Sequence, residues 1–177
     1  MAFPFSEINT VEFQEFKKQI SNIYEIQSFL NKKDSCNRTM TAILISFQQI
    51  KHKYNTIFRY KSFLDCMAFG AKASLYATHF GLGSITSIEF SQAGFNQAKN
   101  SIAYFADSPL TNSIQLKLGR FQDYFQFDAD IIYFDSILLG PYLDEYHILN
   151  SFFQCSMKLL AGSFLIVLAN ENILDVI

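Results

Sequence analysis

The chain has 177 residues, 16 of them acidic and 14 basic, for a formal net charge of −2. That length encloses one core, and so even a balance leaves no basic footprint for nucleic acid. Cys36, Cys66 and Cys155 are odd in number, far apart and without a C-x-x-C pair, which argues against a disulfide scaffold and a zinc site.

Residues Met1 to Phe16 contain no basic residue and carry Glu7, Glu12 and Glu15, unlike a secretory signal or an Arg-rich transit peptide. The nearly uncharged run Leu159 to Asn170 is too short to cross a bilayer as a helix. The expectation is an intracellular protein with no membrane span. From 7 to 30, Ile8, Val11, Phe16, Ile20, Ile23, Ile26 and Leu30 recur at helical spacing. Asn31 to Ser35 is a polar break. A second helix follows from about 39 to 55, with Met40, Ile43, Leu44, Phe47 and Ile50 on one side. These two helices form an N-terminal extension, residues 1–58, ahead of an α/β unit at 59–177.

From residue 59 short apolar runs alternate with helices. Strands are expected at 59–66, 85–90, 113–118, 130–134 and 163–169. Helices are expected at 71–80, at 91–105 with Ser91 as N-cap, and at 143–160. The alternation implies an α/β fold with a parallel sheet and right-handed crossovers. Ligands bind such sheets outside the carboxyl ends of the strands, near the switch in strand order. That places Asp65 to Lys72, Glu89, Gly119 to Phe121, and Asp135 to Pro141 at the candidate site. Glu89 ends the second strand, where an acidic side chain can accept hydrogen bonds from a ribose diol.

The turn after strand one reads Asp65-Cys66-Met67-Ala68-Phe69-Gly70-Ala71, and Gly119-Arg120-Phe121 follows strand three. Asp135-Ser136-Ile137-Leu138-Leu139-Gly140-Pro141 follows strand four. In that order, and with Glu89, these segments resemble the class I S-adenosylmethionine-dependent methyltransferases. Within them the chain resembles the Dot-type, non-SET histone lysine methyltransferases, whose corresponding segments read D-x-G-x-G-x-G, G-D-F and N-N-F-A-F-G-P. The likeness covers about residues 60 to 170. It implies a Rossmann-like methyltransferase fold with Asp65, Gly70, Glu89 and Phe121 at the cofactor, Phe121 stacking on its adenine. Asp135 stands where the family keeps a group near the transferred methyl.

The sequence also departs from that family. Met67, Phe69 and Ala71 replace the three glycines of the first turn, which serve left-handed backbone and close approach to a ligand. Arg120 replaces an Asp that accepts from the adenine amino group, and a guanidinium only donates. It could instead pair with Glu89 or Asp135. The sequence stops soon after strand five, so the expected sheet is truncated there, leaving an edge for something else to cover. Half of the residues are hydrophobic, with 20 Phe and 9 Tyr, and mean hydropathy is +0.12. That richness reflects either apolar surface covered by a partner or the codon bias of an AT-rich genome.

Two functions follow. One is a catalytically degenerate methyltransferase-fold protein with no cofactor, serving as a structural or interaction subunit beside a protein partner. The other is an active, divergent S-adenosylmethionine-dependent methyltransferase on a protein or RNA, with Asp135 as general base. His52, His79 and His147 are isolated and form no metal set or triad. Cys66 reads as a buried thiol.

Overall fold

The structure, a computed structural model, describes residues 23, 26, 28, 29, 37–106, 109–125, 128–135 and 145–168. Of the first expected helix, residues 23, 26, 28 and 29 are helical, and Ile23 and Ile26 are buried; its remainder lies outside the described residues. Helix α1 (Asn37–Tyr54) leads through a 3-10 turn (Phe58–Tyr60) into β1 (Ser62–Asp65). After it come α2 (Lys72–Thr78), β2 (Ser84–Glu89), α3 (Gln92–Tyr104), β3 (Ile114–Leu118) and a single-turn α4 (Phe121–Tyr124). The chain continues through β4 (Ile131–Asp135), α5 (Glu145–Ser156) and β5 (Phe164–Leu168).

All five strands are parallel, in the order β3-β2-β1-β4-β5. Each expected strand is present, with its ends shifted. β1 starts three residues later than its apolar pattern suggested, because Lys61 N–H donates to Phe58 O at 2.9 Å and winds the entry into a turn. Strand order reverses between β1 and β4, so their carboxyl ends flank the switch point.

Alternation along the strands divides the core into two layers. On one face Phe63, Ile85, Ile131 and Tyr133 pack against α1 and α2, through Ile43, Phe47 and Leu75. Phe47 is the hub, its ring 5.1 Å from Phe58, 5.8 Å from Phe63 and 4.6 Å from Phe80. The N-terminal helices thus share their core with the sheet. On the other face Leu64, Cys66, Ile88, Ile132 and Phe134 pack against α4 and α5, through Phe121, Leu149 and Phe152. Phe134 and Phe152 stack at 4.3 Å. At the amino end of β1, Asp130 accepts from Ser62 N–H at 2.9 Å and from Lys61 Nζ at 2.6 Å. Burial opposes its charge, but those bonds and the Lys61 ammonium hold the Asp130 carboxyl below its usual range.

Candidate functional site

The first turn is held from two sides by carboxylates. Asp65, fully buried at the end of β1, accepts from Met67 N–H at 3.3 Å and from Ser74 Oγ at 2.9 Å. Ser74 in turn meets Ser87 of β2 through a hydroxyl–hydroxyl hydrogen bond. Burial pushes the Asp65 carboxyl up to about 7; the Ser74 and Met67 hydrogen bonds only partly offset it, and the Glu89 charge adds to it.

Glu89 closes the other side. Its Oε2 accepts from Phe69 N–H and its Oε1 from Ser91 N–H, both at 2.9 Å, and the residue is 2% exposed. Ser91 caps α3 as its sequence position suggested, accepting from Gly94 N–H at 3.0 Å. Gly94 makes this packing feasible. A Cβ there would lie 2.7 Å from Glu89 Cδ and 2.8 Å from both Glu89 Oε1 and Ser91 Oγ.

The missing glycines are replaced by a rearranged backbone. Gly70 takes φ +76° and Ala71 takes φ +57°, so two consecutive residues are left-handed where the turn enters α2. Ala71 carries strain of roughly 1–2 kcal/mol in that region. Met67 folds back into the core beside Phe121 and is 7% exposed. Phe69 is 36% exposed, with the Lys72 ammonium 5.7 Å from its ring centroid.

Beside this turn lies a cavity of about 340 Å³, at the lower end of the range for small-molecule sites. Cys66 and Met67 form its floor, Phe90 one wall, and Gly119, Arg120 and Phe121 another, with Gln122 and Ile148 completing it. Phe121 is 6% exposed and meets Phe134 edge-on at 5.5 Å, so its ring is largely part of the core. Burial raises the Cys66 thiol well above its ordinary value, which keeps it protonated and unreactive at neutral pH.

The structure therefore brings Asp65, Gly70 and Glu89 together around one turn and puts Phe121 in the lining of the cavity. Asp135 stands apart. It is fully buried, accepts from Tyr133 Oη at 3.2 Å, and by strand alternation lies on the opposite sheet face from the Cys66 side that floors the cavity. Burial, reinforced by the Asp135 charge, holds the Tyr133 hydroxyl far above its usual range. Arg120 is exposed and pairs with neither Glu89 nor Asp135. Gly140 and Pro141 lie outside the described residues. No metal-binding group of His, Cys, Asp and Glu is found among the described residues, and no helix there is long and apolar enough to cross a membrane.

Sequence reasoning missed Ser74 and Ser87, the hydroxyls beneath Asp65, and Phe90, Gln122 and Ile148 in the cavity. Phe90 carried a signal, since it directly follows the acidic end of β2. The other residues carried none without the fold.

As a holder of S-adenosylmethionine this site fits in part. Its apolar walls suit a flat ring. The carboxylate that would take a ribose diol is instead buried and committed to two backbone N–H groups, and Arg120 offers an adenine amino group no acceptor.

No protein-family model matches the chain, and no curated protein is similar to it in sequence. Solved structures are similar in fold. A Staphylococcus aureus protein assigned as a caffeoyl-CoA O-methyltransferase superposes with a TM-score of 0.58 at 18% identity, over 88% of this chain and 69% of its own. A Podospora anserina methyltransferase solved with S-adenosylhomocysteine gives 0.55 at 12% identity, over 93% and 71%. A methyltransferase from Geobacter sulfurreducens gives 0.52 at 14%, over 85% and 72%. At these identities the likeness carries architecture and not chemistry. The chain has the Rossmann-like α/β fold of class I S-adenosylmethionine-dependent methyltransferases, with a five-stranded parallel sheet among the described residues.

Proposed function

We propose that this is a methyltransferase-fold protein that does not transfer methyl groups and serves as a structural or interaction subunit. The state of Glu89 carries the reading. A carboxylate that anchors a ribose must be presented to the cleft, whereas this one is 2% exposed and holds Phe69 and Ser91 N–H groups. Freeing it would break two part-buried hydrogen bonds to a charged acceptor, at about 1 kcal/mol or more each. Asp135, the one candidate for a base, is buried with Tyr133 on the far face of the sheet. The protein partner would meet apolar surface such as Tyr54, Ile57, Tyr60 and Leu165, all more than 40% exposed.

One observation favours the active alternative, a divergent methyltransferase on protein or RNA: an apolar cavity lies at the carboxyl ends of the strands. There S-adenosylmethionine would supply the electrophilic methyl. This chain's part would be to position it with Phe90, Phe121 and the first turn. The narrower likeness to Dot-type enzymes rests on Gly140-Pro141 and belongs to this alternative. Incubating the purified chain with tritium-labelled S-adenosylmethionine and mixed cellular protein and RNA separates the two. The proposal expects no label above a heat-inactivated control; label transfer sinks it.

A further inference from the structure

The donors and acceptors around the cavity are lopsided. Arg120 lines it, is exposed, and has a guanidinium with no protein partner among the described residues. A guanidinium presents up to five N–H donors in a planar fork and accepts nothing. Gly119 N–H, its neighbour, is already spent on Glu89 O at 2.9 Å. None of the residues lining the cavity is acidic; Asp123, three residues on from Arg120, is not among them, and Glu89 at the end of β2 has both oxygens on Phe69 and Ser91. The remaining walls, Cys66, Met67, Phe90, Phe121 and Ile148, are apolar, and Phe90 is 51% exposed, leaving ring surface to stack against. Such a site takes a flat ring and meets its polar edge with donors.

From this we infer that the cavity is a binding site for a 6-oxopurine, a ring whose adjacent oxygen and nitrogen acceptors match the fork of Arg120, and that it discriminates against 6-aminopurines. An arginine fork pairs with O6 and N7 of the oxo ring in one plane. On an amino ring it meets N7 but opposes the N6 hydrogens, donor against donor. Gln122, also on the wall, has a carboxamide that supplies one acceptor and one donor to the rest of the edge. The inference rests on Arg120 and the cavity. It goes beyond the non-methylating reading and does not require it.

Inosine and adenosine are the matched probes, since they differ at the edge that Arg120 would read. Titration calorimetry on the whole chain is expected to show inosine binding about tenfold or more tighter than adenosine. Arg120→Gln exchanges the fork for a carboxamide, the side chain that pairs with N6 and N7 of an amino ring. It is expected to bring the two affinities level or reverse them. Arg120 is exposed and makes no ion pair, so the variant should melt at the wild-type temperature, which circular dichroism checks. Three results overturn the inference: adenosine binding as tightly as inosine, an inosine preference that survives Arg120→Gln, or no binding of either at several millimolar. The first would also revive the S-adenosylmethionine alternative; the third would leave the non-methylating reading standing.

Discussion

Asp65→Asn isolates the energetic cost of the carboxylate buried under the first turn. In the native fold Asp65 is fully buried and its pKa stands at about 7 against an ordinary 3.8. The folded state therefore holds this proton more tightly than the unfolded chain does. The sign follows: the penalty is absent below pH 3.8, grows as pH rises, and is complete above about 7. At 1.36 kcal/mol per pH unit, the rise is worth on the order of 4 kcal/mol. His79 works in the opposite direction over the same range. Its half-buried ring is lowered from 6.5 to about 4 by desolvation, and neither buried ring nitrogen has a hydrogen-bond partner among the described residues, so it adds up to about 3 kcal/mol as pH rises from 4 to 6.5. The two oppose each other between pH 4 and 6.5, so the difference between variant and wild type, rather than the wild-type profile, isolates Asp65. Asn at 65 keeps the shape: its oxygen accepts from Met67 N–H and its amide donates to Ser74 Oγ, whose own proton turns to Ser87. Urea unfolding followed by tyrosine fluorescence from pH 4 to pH 8 is the assay. The stability of Asp65→Asn relative to wild type should grow with pH by several kcal/mol and level off near pH 7. A difference that is flat, or that shrinks as pH rises, would refute the assignment.

Three further outcomes follow from the same contacts. His79→Leu should remove the acid-sensitive component, so that the variant gains on wild type as pH falls from 6.5 towards 4, read by the same unfolding curves. Gly94→Ala should destabilise by about 1–3 kcal/mol, because its Cβ would press on Glu89 and Ser91 and these must shift; the denaturation midpoint reports it. Asp130→Ala should cost about 1–2 kcal/mol at neutral pH by freeing Ser62 N–H and Lys61. Because the folded Asp130 pKa is lowered, that difference is present above pH 3.8 and disappears as pH falls further, which acid-range unfolding curves would show.

The sheet was legible because strand-length apolar runs alternate with helical periodicity, and Ser91 announced its helix by chemistry alone. The position of Asp65 at a strand end was legible too, but its hold on Met67 N–H came only with the structure. The burial of Glu89 was not legible. Whether that carboxylate faces a ligand or the interior depends on Phe69 N–H arriving from a turn 20 residues earlier and on the space left by Gly94. α4, Phe121–Tyr124, was also missed, since one turn is too short for periodicity to register. Asp135 read as a cleft residue because it ends a strand. Two residues on from Tyr133 it shares Tyr133's face, away from the cavity, and only the assembled register decides which face holds the cavity.

The most direct test of the account is titration calorimetry of the purified chain with S-adenosylmethionine and S-adenosylhomocysteine. With Glu89 committed to the turn and Arg120 offering only donors, no binding is expected at millimolar ligand. Binding at micromolar concentration, roughly −8 kcal/mol, would contradict it and show that the rearranged turn still holds the cofactor.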